Sequence, residues 1–265
     1  MTDKTFAKII TFFLILVAAS IAAAAEPVKF KSTDTGFGVG EPVLTGTLTR
    51  PAGKGPFPAV VLLHGCGGIS KRDNIYAEKL AGWGFVALQV DSFRPRGYMR
   101  VCDDRNVIQY MVPKRVLDAY DAKTYLAGLP FVDANRIGVL GWSHGGSIVL
   151  NIVKESRESP FKAAVAFYPF CDFSLNNLNA PLLILIGDAD DWCPAARCLE
   201  NLPPEEKRTS EVIIKVYPGA YHGFDAEGVD SYVRSVTQLH RLLYNAEAAE
   251  DAKGRVKEFL EKYLK

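Results

Sequence analysis

The chain has 265 residues, with 31 Lys and Arg against 30 Asp and Glu, 48% hydrophobic and 11% aromatic residues. That composition sustains a large buried core and excludes a disordered, collagen-like or coiled-coil chain. The balanced charge excludes nucleic acid as a partner, because phosphate-backbone binding needs a clustered excess of cations, and here pairs such as Lys71/Arg72 and Lys114/Arg115 are interleaved with acids.

Residues 1–25 have the layout of a secretory signal peptide. Lys4 and Lys8 give a positive start, residues 9–17 are almost unbroken apolar sequence, and Ala22, Ala23, Ala24 and Ala25 supply small residues before Glu26. The apolar stretch 9–25 falls short of the roughly 20 residues a spanning helix needs. Cleavage after Ala25 is therefore expected, leaving residues 26–265 as one secreted or periplasmic domain with no stable membrane insertion. Export also lets cysteines pair. There are five, Cys66, Cys102, Cys171, Cys193 and Cys198, so at least one stays outside any internal bridge. Four residues separate Cys193 from Cys198, where a thioredoxin-type site has two, and no second Cys or His pair completes a zinc site.

Along the rest of the chain, residues 28–32 and 44–49 read as a leading hairpin, joined through the Gly-rich stretch 36–40. Residues 59–64, 85–90, 137–140, 163–167, 182–186 and 212–216 are short continuous apolar runs. They suit parallel strands covered on both faces. Between them lie helix candidates at 73–83, at 114–126 after Pro113, and at 144–157. A C-terminal helix is expected too, with Val256, Phe259, Leu260, Tyr263 and Leu264 on one face. This alternation predicts an α/β fold, an open and mostly parallel sheet wrapped by helices. Ligands in such sheets bind beyond the carboxyl ends of the strands.

Three strand-end loops hold the polar residues that matter. Gly141-Trp142-Ser143-His144-Gly145-Gly146 fits G-x-S-x-G between a strand and a helix. That turn exposes the Ser143 hydroxyl, and the helix start aims N–H groups at developing negative charge. Residues 187–194 offer Asp188, Asp190 and Asp191, any of which can orient a histidine. Of the four histidines, His64 ends a strand and shapes its loop, His144 follows the serine, and His240 falls in the expected C-terminal helix. His222, in a Gly-flanked loop after the last strand, is the candidate general base. Ser, Asp, His is the α/β-hydrolase chain order. The backbone N–H groups of His144 and Cys66 are the candidate oxyanion donors.

These segments together resemble the dienelactone hydrolase family of α/β-hydrolases. The likeness runs through H-G-C-G-G at 64–68, D-S-F-R-P-R-G at 91–97, G-W-S-H-G-G at 141–146, F-Y-P at 167–169, G-D-A-D-D-W-C-P at 187–194 and Y-H-G-F at 221–224. The resemblance implies a single-domain α/β-hydrolase fold and, by the spacing of acid to proline, Asp190 as the triad acid with Asp191 in reserve. Where the best-known members carry cysteine and glutamate, this chain has Ser143 and Gly65. The resemblance also suggests Arg94 or Arg96 as a contact for a substrate carboxylate. No arginine follows His222 through Glu227, so an acidic dienelactone is not the expected substrate. Finally, it suggests disulfides Cys66–Cys102 and Cys171–Cys198, with Cys193 free. The expected activity is hydrolysis of a small-molecule ester, lactone or thioester through an acyl-enzyme, without metal or cofactor. A peptidase or acyltransferase on the same fold, or a non-catalytic binding protein on a hydrolase scaffold, are the alternatives.

Overall fold

The computed structural model describes residues 24–36, 43–235 and 238–265. Eight strands form one sheet: β1 (Ala24–Lys31), β2 (Val43–Arg50), β3 (Phe57–Leu63), β4 (Val86–Asp91), β5 (Val132–Trp142), β6 (Ala164–Phe167), β7 (Leu182–Gly187) and β8 (Val212–Tyr217). Their spatial order is β1-β2-β4-β3-β5-β6-β7-β8. The pairs β1–β2 and β2–β4 are antiparallel, and every other pair is parallel. All residues of β4, β6 and β7 are buried, as suits strands covered on both faces; β6 and β7 are unbroken apolar sequence, while β4 also buries Gln89 and Asp91.

The order of crossovers fixes where a site can lie. From β3 the chain crosses by α1 (Lys71–Gly82) to β4 on one side, then returns by α2 (Arg105–Ala127) to β5 on the other. Right-handed crossovers running in opposite directions place their helices on opposite faces of the sheet. The α3 helix (His144–Lys154) packs on β5 and β6 and against α2. This reversal makes a crevice between the carboxyl ends of β3 and β5. The loop 64–68 and Ser143 stand at its two sides.

Residues 1–23 of the expected signal peptide lie outside the described residues, as do residues 37–40 of the Gly-rich stretch. The β1 strand begins at Ala24, so its first two residues precede the domain boundary expected at residue 26. The expected helix start after Pro113 is corrected: α2 begins at Arg105 and runs through the proline. Asp104 starts it, its carboxylate accepting the N–H groups of Asn106 at 2.9 Å and Val107 at 3.1 Å. Pro113 falls on the exposed side, while Met111 packs with Phe93, Val101, Cys66 and Cys102. Tertiary burial thus outweighs the lost backbone hydrogen bond.

His240 is also corrected. It lies in β10 (Leu239–Leu243), antiparallel to β9 (Asp230–Arg234), and the C-terminal helix α5 (Ala246–Leu264) starts only after the Asn245 cap. A single parallel bridge, His222 to Leu242, ties this hairpin to the loop after β8.

Disulfides join Cys66 to Cys102 and Cys171 to Cys198, and Cys193 is a buried free thiol. Both bridges suit a secreted or periplasmic protein. Among the described residues no helix is long and apolar enough to cross a membrane.

Candidate active site

Ser143 sits between β5 and α3 with φ 53° and ψ −119°, a conformation that L-residues rarely adopt. The glycines around it make the turn possible. A Cβ on Gly145 would collide with the Leu63 carbonyl, and one on Gly141 with the Gly145 carbonyl. The start of α3 therefore approaches both β5 and the end of β3 too closely for any other residue at these two positions. The strained backbone is held by Ser143 N–H donating to Phe167 O at 2.9 Å, and by Ser147 N–H donating to Ser143 O at 2.8 Å.

Three side chains far apart in sequence form one hydrogen-bonded line. Ser143 Oγ lies 2.9 Å from His222 Nε2, and His222 Nδ1 lies 2.8 Å from Asp190 Oδ2. The other Asp190 oxygen accepts the N–H groups of Trp192 at 2.9 Å and Cys193 at 2.8 Å. Its carboxylate is thus fixed by its own loop and has one oxygen left for the imidazole. Asp191, the reserve acid, turns the other way and pairs with His240 at 3.2 Å. The Trp192 ring lies between the two pairs, 4.9 Å from the His222 ring and 4.7 Å from that of His240.

The loop after β3 is held at its head by the His64 ring. Ser92 N–H donates to His64 Nε2, so the His64 proton sits on Nδ1 and donates to Gly65 O at 2.7 Å. Gly65 C=O and Cys66 N–H belong to one planar trans peptide, so fixing the carbonyl points that N–H the opposite way. His144 is the first residue of α3, and its N–H has no acceptor within the helix. Behind both segments lies the fully buried Arg115. It donates to His64 O at 2.6 Å and to His144 Nδ1 at 2.9 Å. Burial lowers its pKa to about 10, leaving it cationic at neutral pH, and burial with the nearby Arg115 charge holds His64 and His144 well below the usual imidazole range.

A second buried network ties the loop of His222 to the serine turn. Asp225 accepts from Trp142 Nε1 at 2.9 Å and from Tyr168 Oη at 2.6 Å, and Arg72 donates to Tyr168 Oη at 2.7 Å. Burial raises the Asp225 pKa despite these partners. Neither Asp225, Arg72 nor Arg115 carries a local sequence signal. They come from a loop and two helices and meet only in three dimensions.

The arginines expected at a substrate carboxylate are elsewhere. Arg96 forms buried ion pairs with Asp34 at 3.0 Å and Asp118 at 2.7 Å, and Arg94 pairs with Asp91 at 3.3 Å on the surface. Neither lines the cavities at Ser143. The sequence D-S-F-R-P-R-G forms a short 3-10 turn at Arg94–Arg96 whose second arginine folds back onto Ser92 O. A substrate role for Arg96 is thereby replaced by one in the core.

Two cavities meet at the serine. One, of about 280 Å³, opens between the 64–68 loop, α1 and the β9–β10 hairpin. The other, of about 560 Å³, runs along α3 toward the start of α2. Trp192 and the Cys66–Cys102 bridge line both.

The model of the dienelactone hydrolase family matches residues 44–264. The chain belongs to this family. Its relatives include a Bradyrhizobium sp protein named for 2-oxo-3-(5-oxofuran-2-ylidene)propanoate lactonase activity, 27% identical over 70% of this chain and 80% of its own. A Methylorubrum extorquens protein named for carboxymethylenebutenolidase activity is 26% identical over 93% of this chain and 90% of its own. A crystal structure from Klebsiella pneumoniae, named as a dienelactone hydrolase, shares the fold with a TM-score of 0.69 at 22% identity, covering 91% of this chain and all of that one. The chain is therefore a hydrolase of the lactone and ester type on an α/β-hydrolase fold, as the sequence resemblance implies.

Proposed function

We propose that this family member is an exported serine hydrolase that cleaves a small ester, lactone or thioester through an acyl-enzyme on Ser143. The observation that carries the reading is the continuous line Ser143 Oγ, His222 Nε2, His222 Nδ1, Asp190 Oδ2, with both contacts below 3 Å.

A serine hydroxyl is a weak nucleophile at neutral pH, so attack requires a base at its proton. His222 Nε2 takes that proton as Oγ bonds to the carbonyl carbon. Asp190 keeps the opposite ring proton on Nδ1 and stabilises the imidazolium that forms. The carbonyl oxygen becomes an oxyanion, and the Cys66 and His144 N–H groups receive it. Loss of one such donor typically costs about 2.7–4 kcal/mol of transition-state stabilisation. Collapse of the intermediate breaks the bond to the leaving group, which takes the proton from His222. Water then repeats the sequence and frees Ser143. The relative named for lactonase activity supports keeping lactones among the substrates.

Rapid mixing with a chromogenic ester tests the mechanism. A burst of alcohol of one equivalent per enzyme, with an acyl adduct found on Ser143 by mass spectrometry, is the expected result. Steady release with no adduct would overturn the covalent route, and amide turnover at a rate equal to that of matched esters would favour the peptidase alternative.

A further inference from the structure

The two cavities at Ser143 stand in different relations to the proton-transfer machinery. The leaving oxygen must accept a proton from His222 Nε2, so the leaving group has to lie where His222 is exposed. His222 lines the smaller cavity and not the larger. His144 and Ser147 line the larger cavity and not the smaller. The acyl substituent stays on Ser143 Oγ after the alcohol has gone, and the open direction left to it runs along the first turns of α3.

We infer that the smaller cavity receives the leaving alcohol and the larger one the acyl group, and that the substrate joins a compact apolar alcohol to a longer, uncharged acyl group rich in hydrogen-bonding groups. The assignment rests on the triad reading given above and adds a substrate class to it.

The linings carry the chemical half of the argument. Around the smaller cavity Ile75, Tyr76, Val229, Val233 and Leu242 present hydrocarbon. Of its charged neighbours, Arg72 holds Asp73 and Tyr168, Asp225 holds Trp142 and Tyr168, and Lys253 pairs with Glu250, while Lys71 and Glu227 are exposed to solvent. A polar alcohol there would exchange water for surfaces that return few hydrogen bonds, which is costly. The larger cavity has twice the volume and is lined by Arg105, Gln109, Asn151, Asp172, Gln238 and His240. Amides, which both donate and accept, and charges of both signs there suit hydroxyl and amide groups rather than a single ion. In the reaction the Oγ–carbon bond forms first, and the carbon–alcohol bond breaks when the tetrahedral intermediate collapses. The serine proton leaves with the alcohol through the smaller cavity, and water later supplies the hydroxyl that releases the acid through the larger one.

A reversed pair of esters tests this. One is the benzyl ester of N-acetylglutamine, with an apolar alcohol and a polar acyl group. The other is the phenylacetate ester of N-acetylserinamide, with the polarity exchanged. Rates are taken per active site titrated with a fluorophosphonate and normalised to hydroxide-catalysed hydrolysis. The benzyl ester should show at least a tenfold advantage in kcat/KM. Leu242→Trp, filling the smaller cavity, should slow acylation by the benzyl ester at least tenfold and deacylation of the N-acetylglutaminyl enzyme far less, because water needs much less of that space than the alcohol does. Asn151→Trp should slow both steps. Equal or opposite preference between the esters, or no turnover of the benzyl ester by enzyme whose Ser143 labels, overturns the assignment without any variant having to fold. Turnover of both esters by Ser143→Ala would instead overturn the triad reading beneath it.

Discussion

Arg115 and His144 are joined by a hydrogen bond of 2.9 Å in which a buried guanidinium, with no carboxylate bonded to it among the described residues, donates to the imidazole of the residue that follows Ser143. The same guanidinium donates to the carbonyl of His64 at the head of the other loop that faces the serine. One cation thus holds together the two backbone segments whose N–H groups are assigned to the oxyanion. Arg115→Met should lower kcat per titrated active site by about 10–100-fold with little change in KM, the range set by small misplacements and by lost oxyanion donors. Arg115→Lys keeps the charge but cannot reach both acceptors, and should fall between the two. If Arg115 only supported folding, the titratable fraction would fall while kcat per site stayed constant.

The same two histidines set a pH limit on stability. His64 and His144 are held neutral in the folded protein, chiefly by burial and then by the Arg115 charge. In the unfolded chain they titrate near pH 6.5. Between the lowered folded pKa and that value the unfolded state binds more protons, so stability is full above about pH 6.5 and falls as the pH drops. Each histidine contributes a slope of up to about 1.4 kcal/mol per pH unit. Urea titrations from pH 7.5 to 5 should show His144→Gln losing about one proton's worth of that slope. An unchanged slope would contradict the neutral assignment.

Arg96 should act on stability, where Arg94 should do little. Removing the Arg96 guanidinium leaves Asp34 and Asp118 short of a buried partner, and breaking a buried pair costs about 3–5 kcal/mol. Arg96→Ala should lower Tm sharply, while Arg94→Ala, whose side chain is largely exposed, should leave Tm and KM near their starting values. A large rise in KM for carboxylated esters with Arg94→Ala would restore the substrate role the sequence suggested.

Alkylation should divide the cysteines four to one. In the native, non-reduced protein none should react: four are bridged, and burial, then the Asp190 charge, pushes the Cys193 thiol well above its usual range. Unfolding without reductant should expose Cys193 alone. Opening the Cys66–Cys102 bridge by Cys102→Ser should cost about 2–4 kcal/mol. It should also cut activity, because Cys66 carries one of the assigned oxyanion N–H groups.

Much of this was legible in the sequence because it depends on local rules. The buried strands are short apolar runs, and Ser143, Asp190 and His222 each follow one of them. Two departures have a common cause. Pro113 inside α2 and His240 in a strand are places where packing overrode local preference, the first through Met111 of the same helix packed against Phe93, the second beside Trp192. Nothing in a single sequence pairs Arg115 with His64 and His144, or Asp225 with Trp142, since each contact joins elements brought together only by the sheet. Arg94 and Arg96 show the converse, a motif that resembles a binding sequence and folds into ion pairs.

The most direct measurement is peptide mapping after treatment with a fluorophosphonate probe. The line from Asp190 through His222 to Ser143 predicts one adduct, on Ser143, with labelling and ester hydrolysis lost together in Ser143→Ala. Probe on another residue, or full hydrolysis by the alanine variant, would contradict it.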